Sequence, residues 1–159
     1  MTMKLEGSCH CGAVRFGVQS HTPQPYMRCY CSICRKTAGG GGYAINIMGD
    51  AETLKVEGGE NITVYQAQID GELSPALRHF CKRCGSALYV SDPRWPELMH
   101  PFASAIDTPL PAPDAVTHIM LDFKAPWVAV QKNRKDSLFD GYPDQSIEDW
   151  HKSRGLYLE

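Results

Sequence analysis

A chain of 159 residues can bury a hydrophobic core without help from a disulfide or metal, and 43 % hydrophobic with 21 % charged residues is the composition of a soluble globular protein. Disordered, collagen-like and low-complexity classes are excluded, and no run approaches the roughly 18 apolar residues of a membrane-spanning helix. Sixteen Lys and Arg against 18 Asp and Glu give a net charge of −2, the opposite of the basic excess that a nucleic-acid-binding surface carries.

The first residues, Met-Thr-Met-Lys-Leu-Glu-Gly-Ser, contain no apolar stretch of secretory length, and a cytoplasmic protein is expected. Along the chain, short alternating or β-branched apolar runs at 13–18, 43–48, 53–56, 61–66, 76–80, 87–90, 102–106 and 116–123 predict strands. The period is two in Tyr43, Ile45, Ile47 and again in Ile119, Leu121, Phe123, the mark of a half-buried strand. Glycines and prolines at 39–42, 58–59, 93–96 and 109–113 punctuate the turns between runs. Residues 146–154 predict a short C-terminal helix lying on a sheet edge, with Ser146 as N-cap, Asp149 in the capping-box position, and Ile147 and Trp150 on one face. No helical pattern is long enough for βαβ units. The expectation is one mainly β domain over 1–159, an antiparallel sandwich with a short C-terminal helix.

All seven cysteines fall in three clusters: Cys9-His10-Cys11, Cys29-Tyr30-Cys31-Ser32-Ile33-Cys34 and Cys81-Lys82-Arg83-Cys84. An odd number in a reducing compartment is no disulfide framework, and buried cysteines acting as small hydrophobes have no reason to pair at such spacings. Cys-x-x-Cys closed by Gly85 has the shape of a zinc knuckle, two thiolates converging on one ion across a tight turn. A thioredoxin-like redox role would place the motif at a helix N-terminus in a βαβ unit, a context the pattern lacks. Soft thiolates at this spacing select zinc, with iron the competitor in a four-cysteine site. Seven divides into a closed set of four and a set of three with an open position, the distinction between structural and catalytic zinc. Spacing leaves open which clusters share an ion.

The stretches Gly7-Ser8-Cys9-His10-Cys11-Gly12-Ala13-Val14-Arg15-Phe16, Cys29-Tyr30-Cys31-Ser32-Ile33-Cys34-Arg35-Lys36 and His79-Phe80-Cys81-Lys82-Arg83-Cys84-Gly85-Ser86 resemble, in order and spacing, the three signatures of the glutathione-dependent formaldehyde-activating enzyme family, which also contains centromere protein V. Val116-Thr117-His118-Ile119 and Ala125-Pro126-Trp127 are similar to its closing strands. The resemblance implies stacked antiparallel β-sheets with zinc knuckles. It implies two zinc ions per chain, a structural one on Cys9, Cys11, Cys81 and Cys84 and a second on Cys29, Cys31 and Cys34, which would carry catalysis. It implies a carbon–sulfur lyase or synthase that joins formaldehyde and glutathione reversibly to S-(hydroxymethyl)glutathione, a detoxification reaction with a small thiol and an aldehyde as partners.

Three thiolates against one Zn²⁺ leave a negative site, so a further thiolate needs positive charge nearby, and Arg28, Arg35 and Lys36 flank the cluster. Gly39–Gly42 is either a backbone that a peptide-like ligand can approach or a plain turn. His10 and His79 stand beside cysteines, where ligation competes with ordinary packing, while His21, His100, His118 and His151 carry no signal. Trp127 and Trp150 read as core or edge anchors. The alternative from another class is a zinc-stabilised binding module without chemistry. A chromatin role is disfavoured, because only small basic clusters such as Lys132-Asn133-Arg134-Lys135 occur.

Overall fold

The computed structural model describes residues 1–159. In chain order the elements are β1 (Met3–Ser8), β2 (Arg15–Ser20), β3 (Met27–Cys29), α1 (Ser32–Ala38), β4 (Ala44–Ile45), β5 (Gly49–Asp50), β6 (Lys55–Glu57) and β7 (Ile62–Tyr65). There follow β8 (Gln68–Ile69), β9 (Glu72–Leu73), β10 (Leu77–Cys81), β11 (Ala87–Ser91), β12 (Leu98–Pro101), β13 (Thr117–Ile119), β14 (Ser137–Leu138) and α2 (Ile147–Ser153). No helix is long and apolar enough to cross a membrane.

The strands form a three-stranded sheet β1-β2-β6, a five-stranded sheet β5-β12-β11-β10-β7, a four-stranded sheet β14-β13-β3-β4 and the hairpin β8-β9. The five-stranded sheet sits between two cores. Leu88 and Met99 pack with Leu5, Val14, Phe16, Val18 and Ile47 toward β1 and β2. Val90 and Ala87 pack with Phe102, Ala44, Ile119 and Cys34 toward β3 and β13. Leu5, Val14, Ile47 and Leu88 are wholly buried, and each such side chain contributes about 1.5–3 kcal/mol.

The mainly β architecture agrees with the sequence, and three differences have physical causes. The run 102–106 is no strand, because Phe102 is wholly buried and the chain then turns through one 3-10 turn at Ala103–Ala105. The run 116–123 stops at Ile119, where Met120 takes a left-handed backbone (φ 59°) into a second 3-10 turn, which leaves Phe123 57 % exposed. The four-stranded sheet is mixed, with β13 parallel to both β3 and β14. The crossover from β13 to β14 carries only the short 3-10 turn at Leu121–Phe123, so this parallel pair forms without the helix of a βαβ unit.

α2 forms as expected, the Ser146 hydroxyl accepting the Asp149 N–H at 3.0 Å. It covers no sheet edge: Trp150 stacks on Tyr26 with ring centroids 3.7 Å apart, and His151 Nε2 accepts the Gln24 N–H at 3.1 Å, so α2 holds the segment entering interior strand β3. Trp127 is 66 % exposed and anchors nothing. A buried chain fixes the other end of β3: Tyr30 Oη lies 2.8 Å from His118 Nδ1, and His118 Nε2 lies 3.4 Å from Asp136, whose carboxylate also accepts the Val116 and Asn133 N–H groups.

His79, His100, His118 and His151 are all held below the ordinary imidazole range, burial being the largest cause in each. A depressed imidazole pKa means that the unfolded chain binds more protons than the folded one below about pH 6.5. Stability is therefore expected to be flat above neutrality and to fall as pH drops through 6 toward 5. Thermal unfolding of the metal-loaded chain across this range checks it, and His118→Gln is expected to give a shallower acid limb.

Candidate metal centres and active-site cleft

Cys9 and Cys11 lie in the turn between β1 and β2, Cys81 ends β10, and Cys84 lies in the turn to β11. Gly12 and Gly85 both take positive φ (79° and 78°), and their N–H groups close back on the Cys9 and Cys81 carbonyls at 3.1 and 2.8 Å. Only glycine takes that backbone without strain. The four sulfurs lie within 4.8 Å of one another, with Cys9 to Cys11 at 3.6 Å and Cys11 to Cys81 at 3.8 Å. Zn–S bonds of about 2.3 Å in a tetrahedron separate sulfurs by about 3.8 Å, so this donor set fits the ion. The Val14 N–H lies 3.3 Å from the Cys9 sulfur. Hydrogen bonds from the Ser86 hydroxyl and from the backbone of Cys11 and Ser86 hold the Cys84 thiol down at about 5.

Cys29, Cys31 and Cys34 form the second group, again within 4.8 Å of one another. β3 delivers Cys29, and Cys31 is the N-cap of α1, its sulfur accepting the Cys34 N–H at 3.3 Å. The Cys-x-x-Cys pair thus does open a helix, but β4 returns antiparallel to β3, and the βαβ setting of a redox motif is absent. Hydrogen bonds from Cys31 and Cys34 push the Cys29 thiol up, while those from Cys29 and Cys34 pull Cys31 down. Three sulfurs this close cannot all ionise unless a cation lies among them. The group therefore fits a soft divalent ion, and no fourth side chain completes it.

These sulfurs floor a cleft of about 610 Å³ with Ile33, Val90 and Ile119 in its walls and Trp95, Phe123 and Tyr142 at its mouth. In register across the central sheet, Tyr65, Arg78, Val90 and His100 are direct cross-strand partners, which puts their side chains on one face. Arg78 donates to Thr37 Oγ1 at 3.4 Å and brings Nη2 to 4.0 Å from the Cys34 sulfur. His100 Nδ1 donates to the Ile47 carbonyl at 3.2 Å, so its Nε2 is an acceptor toward the cleft. Burial above all holds this imidazole below its ordinary range, against smaller upward pulls from the Ile47 hydrogen bond and Asp92. Asn46 also lines the cleft, with Oδ1 buried and without a partner.

The cations flagged by the sequence lie elsewhere. Arg28 stacks on Tyr43 at 4.7 Å, and Arg35 and Lys36 line a separate polar cleft of about 630 Å³ beside Cys9 and His10. Within Gly39–Gly42 only the ends are packed, a Cβ on Gly39 meeting the Tyr43 carbonyl and one on Gly42 the Val128 side chain, while Gly40 and Gly41 face open space and Gly39 and Gly40 line that polar cleft. His79 stacks on Tyr89 at 4.3 Å and donates to Leu77, while His10 is exposed; neither joins a cysteine group. Arg78 and His100 carry no local motif. Only alternation along β10 and β12 marks them, and that cannot place two strands side by side.

Residues 4–121 match the family model described as glutathione-dependent formaldehyde-activating enzyme. A Halomonas elongata protein provisionally named as such an enzyme is 64 % identical over 154 residues, covering 97 % of this chain and 98 % of that one. The crystal structure of a Rhodobacter sphaeroides protein, 32 % identical, superposes with a TM-score of 0.53, covering 69 % of this chain and 92 % of that one.

Two cysteine groups of this geometry predict two zinc equivalents per chain on metal analysis. Cys34→Ser is expected to retain one and keep its cooperative thermal transition. Cys81→Ser is expected to lose the other and unfold, because binding energy at a structural zinc is folding energy. A single equivalent on the folded wild-type chain would exclude the three-sulfur group as a metal centre.

Proposed function

The chain belongs to the glutathione-dependent formaldehyde-activating enzyme family, and from that premise we propose a zinc-dependent carbon–sulfur lyase or synthase that makes and splits adducts of a thiol and an aldehyde, S-(hydroxymethyl)glutathione among them. The supporting observation is the three-sulfur group at the floor of a cleft that also holds a guanidinium and a neutral imidazole. Cys9, Cys11, Cys81 and Cys84 serve a structural ion, and Cys29, Cys31 and Cys34 the catalytic one. Seven free cysteines suit a cytoplasmic setting.

Zinc held by Cys29, Cys31 and Cys34 supplies a Lewis acid that favours the ionised form of a thiol at neutral pH. The remaining work falls to side chains. As the C–S bond forms and the C=O π bond opens, one proton must travel from sulfur to oxygen. His100 Nε2 takes that proton and returns it to the developing alkoxide, and the reverse reaction runs through the same atom. Arg78 offsets the charge of the crowded thiolates, which lowers the penalty for bringing another sulfur close.

Exchange NMR of labelled formaldehyde with glutathione measures the rate against the uncatalysed background. Acceleration by the zinc-loaded chain is expected, with its loss in Cys34→Ser. No acceleration with both ions bound would point first to a different thiol or aldehyde and second to the non-enzymatic binding module. His100→Gln is expected to lower kcat/KM by about 100-fold. Since His100 acts when neutral and its pKa lies below the usual range, wild-type kcat/KM should fall only below about pH 6.5, and His100→Gln should flatten that limb.

A further inference from the structure

The cleft is far larger than formaldehyde requires, and its walls have the wrong chemistry for a charged tripeptide. Glutathione carries two carboxylates and an ammonium, yet no Asp or Glu lines the cleft to meet the ammonium. Of the two lining guanidiniums, Arg94 is clamped by Asp92 at 2.7 to 3.2 Å, and Arg78 turns toward the sulfurs, with long contacts to Thr37 Oγ1 at 3.4 Å and to the Cys34 sulfur at 4.0 Å. What the cleft offers instead is carbon. Ile33, Val90, Ile119 and Ile147 line it above the sulfurs, while Phe123 is 57 % and Tyr142 80 % exposed at its mouth. Exposed aromatic groups around a deep apolar cleft with a few converging polar groups mark a small-molecule site.

Resting on the reaction proposed above, we infer that the aldehyde partner carries an alkyl or aryl substituent, which the apolar wall of this cleft binds. The charged body of the thiol stays in water at the mouth, so the substituent on the carbonyl carbon is the part that fills the wall. The chemistry balances as before: sulfur bonds to the carbonyl carbon, the C=O π bond opens, and the thiol proton passes to oxygen, giving R–S–CH(OH)–R′ with nothing oxidised or reduced. The substituent R′ displaces water from the walls, and the site discriminates by apolar area. An added methylene in such a pocket is worth roughly ten-fold or more in specificity.

Two measurements on the zinc-loaded full chain decide this. Calorimetry with S-hexylglutathione and S-methylglutathione, which keep the sulfur–carbon skeleton of an adduct without reacting, is expected to give at least about tenfold tighter binding of the hexyl conjugate. Equal affinities overturn the inference. Adduct exchange kinetics with formaldehyde, hexanal and benzaldehyde, each against its uncatalysed rate, should favour the two larger aldehydes by at least about tenfold in kcat/KM. In Ile147→Glu, with an unchanged thermal transition, both preferences should shrink together. Turnover favouring formaldehyde overturns the inference and leaves the reaction standing. Turnover of none of the three overturns the reaction, and the calorimetry still decides the pocket. Equal affinities in a chain that is dimeric by ultracentrifugation would assign the aromatic mouth to a second copy instead.

Discussion

The convergence of Cys9 and Cys11 with Cys81 and Cys84 joins turns separated by 70 residues, and most of the architecture depends on it. The first turn belongs to the three-stranded sheet and the second to the five-stranded sheet, so four sulfurs within 4.8 Å fix one sheet against the other. Loop-closure entropy opposes a contact of such sequence separation. A donor set matched to one divalent ion, with Leu5, Val14 and Leu88 wholly buried beside it, offsets that term. The positive-φ glycines after Cys11 and Cys84 let the backbone fold tightly enough for paired sulfurs to face one centre.

The central sheet then serves two purposes through its alternation. Met99 points into the core shared with β1 and β2, and its neighbour His100 points into the cleft. Because Arg78, Val90 and His100 are in register, the guanidinium and the imidazole sit two strands apart, roughly 10 Å at the backbone, with an apolar side chain between them. In the reaction we propose, that spacing separates the group that steadies sulfur from the group that handles the proton. A one-residue slip of β12 would turn His100 into the core and Met99 into the cleft.

The second sulfur group depends on the placement of β3. The Tyr26–Trp150 stack anchors one end of this three-residue strand, and the Tyr30–His118–Asp136 chain anchors the other. Asp136 accepts two backbone N–H groups as well as the imidazole, so its buried carboxylate is satisfied. Cys29 is thereby delivered beside the N-terminus of α1, where Cys31 and Cys34, three residues apart, fall on one side.

Much of this was legible in residue order. The three cysteine clusters, the knuckle glycine, the short strands between turn signals and the Ser146 cap are local patterns, and local patterns report backbone choices the chain makes without distant partners. Family resemblance paired the clusters as the sulfurs are in fact grouped. The sequence misled where a pattern of one kind met a different tertiary demand: Ile119, Leu121 and Phe123 alternate as a strand would, yet the left-handed Met120 ends β13 and sends Phe123 to the cleft mouth. Arg28, Arg35 and Lys36 are near the second cluster in sequence but not in its cleft, whereas Arg78, 44 residues from Cys34, reaches it. His100 is an unremarked histidine until β12 pairs with β11. Ligand chemistry is short-range and written in spacing, but the company a ligand keeps is set by which strands pair, and that is decided only when the sheets pack.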